Sequence, residues 1–252
     1  MHNKVSMSLF DKLIYKIRNR NRNIASREYY YCPFCGKVTK FIDAGVPPRP
    51  HAACSVCYSL ERHRFLFYVY QEFLNRKNAP GPLNPLNILH TAPEKCFCEI
   101  FSKRNDINYM PIDLEPDNWD FVKCKKEDVT SLTFADNSFD IVLSNHVMEH
   151  IEDENRFLSE LLRVLKPNGV IYLTFPLDFT RDKTFEDKNI NTLEGRLKYY
   201  GQADHVRIYG RDILDKLKHN YGAEIKFAED VEIKHLKKLK IPKREFVVII
   251  RK

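Results

Sequence analysis

No stretch of this sequence is apolar for anything near the roughly 20 residues that a membrane-spanning helix needs. The first thirty residues also lack an apolar block of signal-peptide length, so the cytoplasm is the expected compartment. Glycine is scarce, at 8 of 252 residues, and tryptophan occurs once. The cysteines do not come as an even set. Seven of them without an export signal argue against a disulfide framework and for metal binding or free thiols. The net charge of +7 is also not spread along the chain, because residues 1–28 hold seven Lys/Arg against Asp11 and Glu28. An interleaved basic and aromatic face, as nucleic-acid binding uses, is missing.

What is present falls into four parts. Residues 1–28 read as a basic amphipathic helix, with Leu9, Phe10, Leu13, Ile14 and Ile17 at helical spacing beside Lys12, Lys16 and Arg18. Such a helix could lie on an anionic membrane surface or on RNA, or pack on its own protein. Residues 29–60 carry Cys32-Pro-Phe-Cys35 and Cys54-Ser-Val-Cys57, separated by eighteen residues. Two such knuckles let four thiolates converge on one Zn2+, which predicts a structural zinc ribbon with a filled coordination shell. Residues 61–85 form a connecting helix and a breaker-rich linker, NAPGPLNP, and the charged Glu61, Arg62, His63 and Arg64 read as helix surface.

From Leu86 to the end, strands and helices alternate. The expected strands are 86–90, 109–114, 139–143, 170–175, 223–229 and 245–250, the last two joined by a Lys-rich hairpin loop. Phe139–Phe175 is the clearest piece, a strand–helix–strand unit that must cross over right-handedly. The predicted fold is α/β: a Rossmann-like, mostly parallel sheet with helices on both faces and an antiparallel C-terminal strand, preceded by the ribbon. Ligands in such sheets sit at the carboxyl ends of strands, which is where Asn145, His146, Glu149 and His150 crowd together.

The segments Glu127–Asp140, Val147-Met-Glu-His-Ile151 and Leu162–Gly169 resemble landmarks of the class I S-adenosylmethionine-dependent methyltransferases, over about residues 86–252. With the ribbon, Leu89–Glu94 and Asp204–Gly210, the chain looks like a zinc-ribbon-bearing bacterial subgroup of that family. The resemblance implies that Asp113 binds the ribose hydroxyls, that Asp128 and the Val129 backbone meet adenine, and that Asn145 and His146 lie beside the sulfonium. It also exposes a departure. The family's glycine-rich loop is here Thr91-Ala92-Pro93-Glu94, and the usual acid before it is His90. Ala92 is then the residue of close approach, and Glu94 the substitute acid for the cofactor's amino group.

Methyl transfer to a hydroxyl needs a base, for which His146, His150 and His205 are the candidates, with Glu149 a fourth. His205 lies in a polar and aromatic segment expected to form an acceptor lid, and Thr180–Thr192 reads as a flap. The expected acceptor is a small molecule or a surface-polysaccharide sugar. The alternatives are an RNA methyltransferase with a zinc module, and a non-catalytic zinc-binding protein that has lost its cofactor.

Overall fold

A computed structural model describes residues 29–45, 48–74, 85–231 and 233–252. The expected N-terminal helix and most of the Pro-rich linker lie outside these. The chain forms two compact units, one built from the residues before position 84 together with 227–247, the other from residues 84–226 with 248–252.

In the first unit β1 (Tyr29–Cys32), β2 (Lys37–Ala44) and β3 (Arg49–Cys54) form an antiparallel three-stranded sheet. Helix α1 (Glu61–Leu74) buries Phe65, Leu66, Val69 and Tyr70, the stripe its spacing predicts. Its first turn is not the charged surface expected from sequence. Glu61 and Arg64 are buried, and Arg64 donates to the carbonyls of Ala52 (3.0 Å), Leu239 (2.7 Å), Lys240 (3.1 Å) and Ser59. Its guanidinium also lies 4.5 Å from the centre of the Phe41 ring. The Lys-rich stretch is not a hairpin loop either. Residues Ile233–Leu239 form helix α6, which packs on β1 and presents the carbonyls that Arg64 binds. Sequence reasoning missed it because its apolar face is completed only by that distant strand.

The second unit carries the predicted Rossmann-like sheet. Seven strands run in the order β6-β5-β4-β7-β8-β10-β9, with β4 (Leu86–Thr91) in the middle, paired in parallel with β5 (Ile107–Asp113) and β7 (Phe139–Asn145). Beyond them lie the two-residue β6 (Lys125–Lys126), β8 (Leu165–Thr174), β9 (Glu224–Phe227) and β10 (Phe246–Arg251). β10 pairs antiparallel with β8, as expected. Ile141, Val142 and Leu143 are wholly buried, which is why β7 reads as an unbroken apolar run instead of an alternation.

Helix α2 (Lys95–Phe101) follows β4, and α3 (Glu154–Val164) follows β7. The Asp153 carboxylate caps α3 by accepting from the Arg156 amide at 2.9 Å, and Phe157, Leu158 and Leu161 form its buried face. β8 starts at Leu165, five residues before the expected Val170. Phe139 pairs with Leu165, then the register jumps so that Ile141 pairs with Val170. Helix α4 (Leu193–Tyr200) was not foreseen, and Leu193 and Leu197 are 70% and 57% exposed, so it offers no buried stripe to detect. Helix α5 (Asp212–Tyr221) buries Ile213, Leu214 and Leu217. Among the described residues, no helix is long and apolar enough to cross a membrane.

Candidate functional site

Two sites emerge, one in each unit. In the first, Cys32 and Cys35 leave the β1–β2 turn while Cys54 and Cys57 leave the end of β3, so antiparallel pairing brings both knuckles to one point. The sulfurs of Cys32 and Cys57 are 3.4 Å apart, those of Cys35 and Cys54 3.8 Å, and all four lie within 4.8 Å of one another. Sulfurs bound tetrahedrally at zinc–sulfur distances of about 2.3 Å would be separated by about 3.8 Å. Hydrogen bonds from Cys32 and Cys57 pull the Cys54 thiol down to about 3, while the same contacts push Cys32 up. One thiolate thus forms readily, and further negative charge needs a cation. Arg64 is buried, and the Cys32 thiol, the Glu61 carboxylate and the Cys54 and Cys57 thiols favour its charge against the cost of burial.

In the second unit a cavity of about 620 Å³ opens at the carboxyl ends of β4, β5 and β7. Its size is ordinary for a small-molecule site. Thr91, Ala92, Asp113, Leu114, Trp119, Asp128, Val129, His146, His150 and Asp204 are among its lining residues. Of the expected cofactor residues it therefore gathers Ala92, Asp113, Asp128, Val129 and His146. Asp113 Oδ1 accepts from the Glu115 amide at 2.8 Å, and Asp128 Oδ1 accepts from the amide and hydroxyl of Thr130 at 2.8 and 2.7 Å. Among the described residues, each carboxylate keeps its second oxygen free of hydrogen-bond partners. Leu114 offers an apolar wall that is 59% exposed, and the buried Trp119 Nε1 also has no protein partner.

The glycine-free loop keeps the backbone shape that glycine would supply. Ala92 adopts φ +45°, in the left-handed region, and its amide donates to the Ile112 carbonyl at 2.9 Å. The small methyl pays a strain of about 1 kcal/mol there. His90 is wholly buried, with Nδ1 2.8 Å from the Tyr109 hydroxyl and Nε2 2.9 Å from Glu94 Oε2. Asn145 Nδ2 donates to the same Glu94 oxygen at 3.1 Å, and the Thr174 hydroxyl donates to Asn145 Oδ1 at 3.1 Å. Glu94 and Asn145 therefore form a network with His90, and neither is among the cavity-lining residues.

The three candidate bases are placed differently. His146, at φ +52°, and His150 line the cavity, each with a side chain 30% exposed. His205 is buried and not among the lining residues; it meets His150 edge-on, with ring centres 4.8 Å apart. The Asp204 carbonyl and carboxylate lie 3.2 and 3.3 Å from His150 Nδ1. A turn at 203–204 precedes His205.

Arg207, 2% exposed, holds this corner together. It donates to the carbonyls of Met148, Ile151 and Glu152 at 3.2, 2.5 and 3.0 Å and to Glu186 at 2.9 Å. No periodicity marked it. The expected flap is tied down by paired backbone hydrogen bonds of 2.9 Å between Phe185 and Ile208. At Gly210 an added Cβ would come within 2.4 Å of the Lys183 backbone, so only glycine permits that approach.

Burial, then the adjacent His150, hold the His205 imidazole below its ordinary range. Below a pH of about 6.5 the unfolded chain therefore binds a proton that the folded chain does not. Stability is complete above that pH and falls as pH drops through the folded value. His205→Gln should lose less of its unfolding temperature between pH 7 and 5.5 than the parent, measured by calorimetric melting; equal losses would contradict it.

Residues 93–173 match the family profile described as a methyltransferase domain. An uncharacterized methyltransferase of Mycobacterium sp. strain KMS is 33% identical over 99 residues, 38% of this chain and 35% of that protein. An arsenite methyltransferase of Aquipseudomonas alcaligenes is 39% identical over 107 residues, 42% of this chain and 29% of that protein. The matches thus span about a third of these relatives. A solved S-adenosylmethionine-dependent methyltransferase from Archaeoglobus fulgidus overlaps 76% of this chain and 94% of its own, with TM-score 0.47 and 15% identity.

Proposed function

We propose that this chain, which matches the methyltransferase-domain profile over 93–173, transfers a methyl group from S-adenosylmethionine to a small-molecule or sugar hydroxyl. One observation carries the reading. At adjacent strand ends, Asp113 and Asp128 each keep a carboxylate oxygen free beside an apolar wall of Leu114 and Val129. That pairing suits a nucleoside, with hydroxyls on the Asp113 side and a flat base on the Asp128 side. Ala92 and His146 bound the methionine end, with the Glu94–His90–Asn145 network behind them. Transfer is an in-line displacement, so the chain's work is to align the acceptor oxygen with the methyl carbon and exclude water. A hydroxyl acceptor is favoured by the imidazoles at that end of the cavity, which can take its proton. The cysteine cluster is assigned to a structural Zn2+, because four thiolates leave no open position for chemistry.

Asp113→Ala should weaken S-adenosylmethionine binding about 10- to 100-fold, the equivalent of the roughly 1.5–3 kcal/mol of charge-assisted hydrogen bonds. Calorimetric titration measures it. No binding by the parent chain at millimolar cofactor would defeat the enzyme reading and leave the non-catalytic one.

A further inference from the structure

Glu149 is 1% exposed, and among the described residues no hydrogen bond reaches either of its carboxylate oxygens. A buried charge in that state is expensive unless a cation meets it. What surrounds it is imidazole. His146 Nδ1 lies 3.3 Å and His150 Nε2 3.9 Å from Glu149 Oε1, and His205 packs edge-on against His150. One ligand atom each from Glu149, His150 and His205 lie within 4.8 Å of one another. A contraction of up to about 1.5 Å would bring them to the spacing of groups bound tetrahedrally to one ion at roughly 2.0–2.2 Å.

The surroundings orient the ring as a metal site requires. The Asp204 carbonyl and carboxylate at 3.2 and 3.3 Å hold the proton on His150 Nδ1, which leaves Nε2 facing Glu149 with its lone pair. The Val206 amide donates to the Glu149 carbonyl at 3.0 Å, so the segment carrying His205 is fixed against the turn carrying the other two ligands. His150, His146 and Asp204 also line the cavity.

We propose that Glu149, His150 and His205 form a binding site for a divalent first-row transition metal at the cavity wall, with open positions for the oxygen of a hydroxyl acceptor. Two imidazoles and one carboxylate suit Zn2+, Mn2+, Fe2+ or Co2+ and leave coordination positions unfilled. The ion lowers the pKa of the bound hydroxyl. Its proton passes to solvent. The oxygen lone pair forms the O–CH3 bond, and the S–CH3 pair stays on sulfur, turning the sulfonium into a neutral thioether. The acceptor half rests on the methyl-transfer reading; the metal half does not.

The test uses the full chain with its cysteine cluster filled by Zn2+. Titration with Mn2+, followed by electron paramagnetic resonance, should show one immobilised ion per chain, lost in both Glu149→Gln and His205→Ala. Glu149→Gln removes a buried charge and should fold as the parent does by circular dichroism; if it does not, His205→Ala decides. Catechol, added as an oxygen-donor probe, should change the spectrum of bound Mn2+, and an unchanged spectrum would overturn the acceptor half. No immobilised Mn2+ and no second equivalent of Zn2+ by elemental analysis would overturn the site, whatever the cofactor does. Retention of the ion in both variants would overturn these ligands. Calorimetry with S-adenosylmethionine on the same samples keeps the two readings apart: bound cofactor without metal leaves methyl transfer standing, and bound metal without cofactor leaves only the site.

Discussion

Cys54→Ser should strip the metal from the four-thiol cluster and unfold the unit that surrounds it. Cys54 ends β3, is fully buried, and carries a thiol that hydrogen bonds from Cys32 and Cys57 pull below its ordinary range. A serine hydroxyl stays protonated and binds zinc poorly, so the site drops to three ligands. Structural zinc sites supply on the order of 10 kcal/mol of folding energy, and little else in a three-stranded sheet of this size could replace it. Arg64 would add to the loss, because its buried charge would no longer face the thiolates that balance it. Elemental analysis should find the parent's zinc gone, and limited proteolysis should cut within 29–60. Cys124→Ser, at a half-buried cysteine outside the cluster, should retain both the metal and resistance to cleavage. Unchanged zinc in Cys54→Ser would refute the assignment.

Arg207→Met should cost about 3–5 kcal/mol, the usual result of deleting one side of a buried charge network. The loss falls on the carbonyls of Ile151 and Glu152 and on Glu186, which would lose this donor, while the Met148 carbonyl keeps the Tyr209 hydroxyl at 3.2 Å. Those carbonyls belong to the turn that presents Glu149 and His150, so the cavity wall should loosen with the fold. The expected result is a lower urea midpoint together with weaker S-adenosylmethionine binding. Arg207→Lys should recover little of either, since one ammonium cannot reach carbonyls arranged for a planar fork. Parent-like stability in Arg207→Met would show that the carbonyls find other donors.

Spacing alone predicted the cysteine cluster, because two short knuckles at the ends of antiparallel strands converge wherever the strands pair. β7 and α3 were legible for a similar reason: a fully buried strand is an apolar run, and a helix with one buried face repeats every three to four residues. Helix α4 shows the limit. Its apolar Leu193 and Leu197 face outward, so no pattern of burial marks it. The Glu61–Arg64 turn misled because charge suggests surface, while Arg64 is buried among carbonyls that arrive from residues 52, 59, 239 and 240.

The sequence by itself determined the local matters: the central strands of the sheet, where the thiols cluster, and that Asp113 ends a strand. Each depends on period, spacing or a neighbour a few residues away. Only the tertiary structure decided what depends on distant partners. It tied the Glu94 carboxylate to His90 and Asn145, away from the cavity lining, and it put Ala92 in the left-handed turn a glycine would have made. It brought Asp204 and His205 to Glu149 and His150, more than fifty residues earlier in the chain. A contact across that separation leaves no periodic trace, because its energy is gained only after the intervening strand and helices have folded.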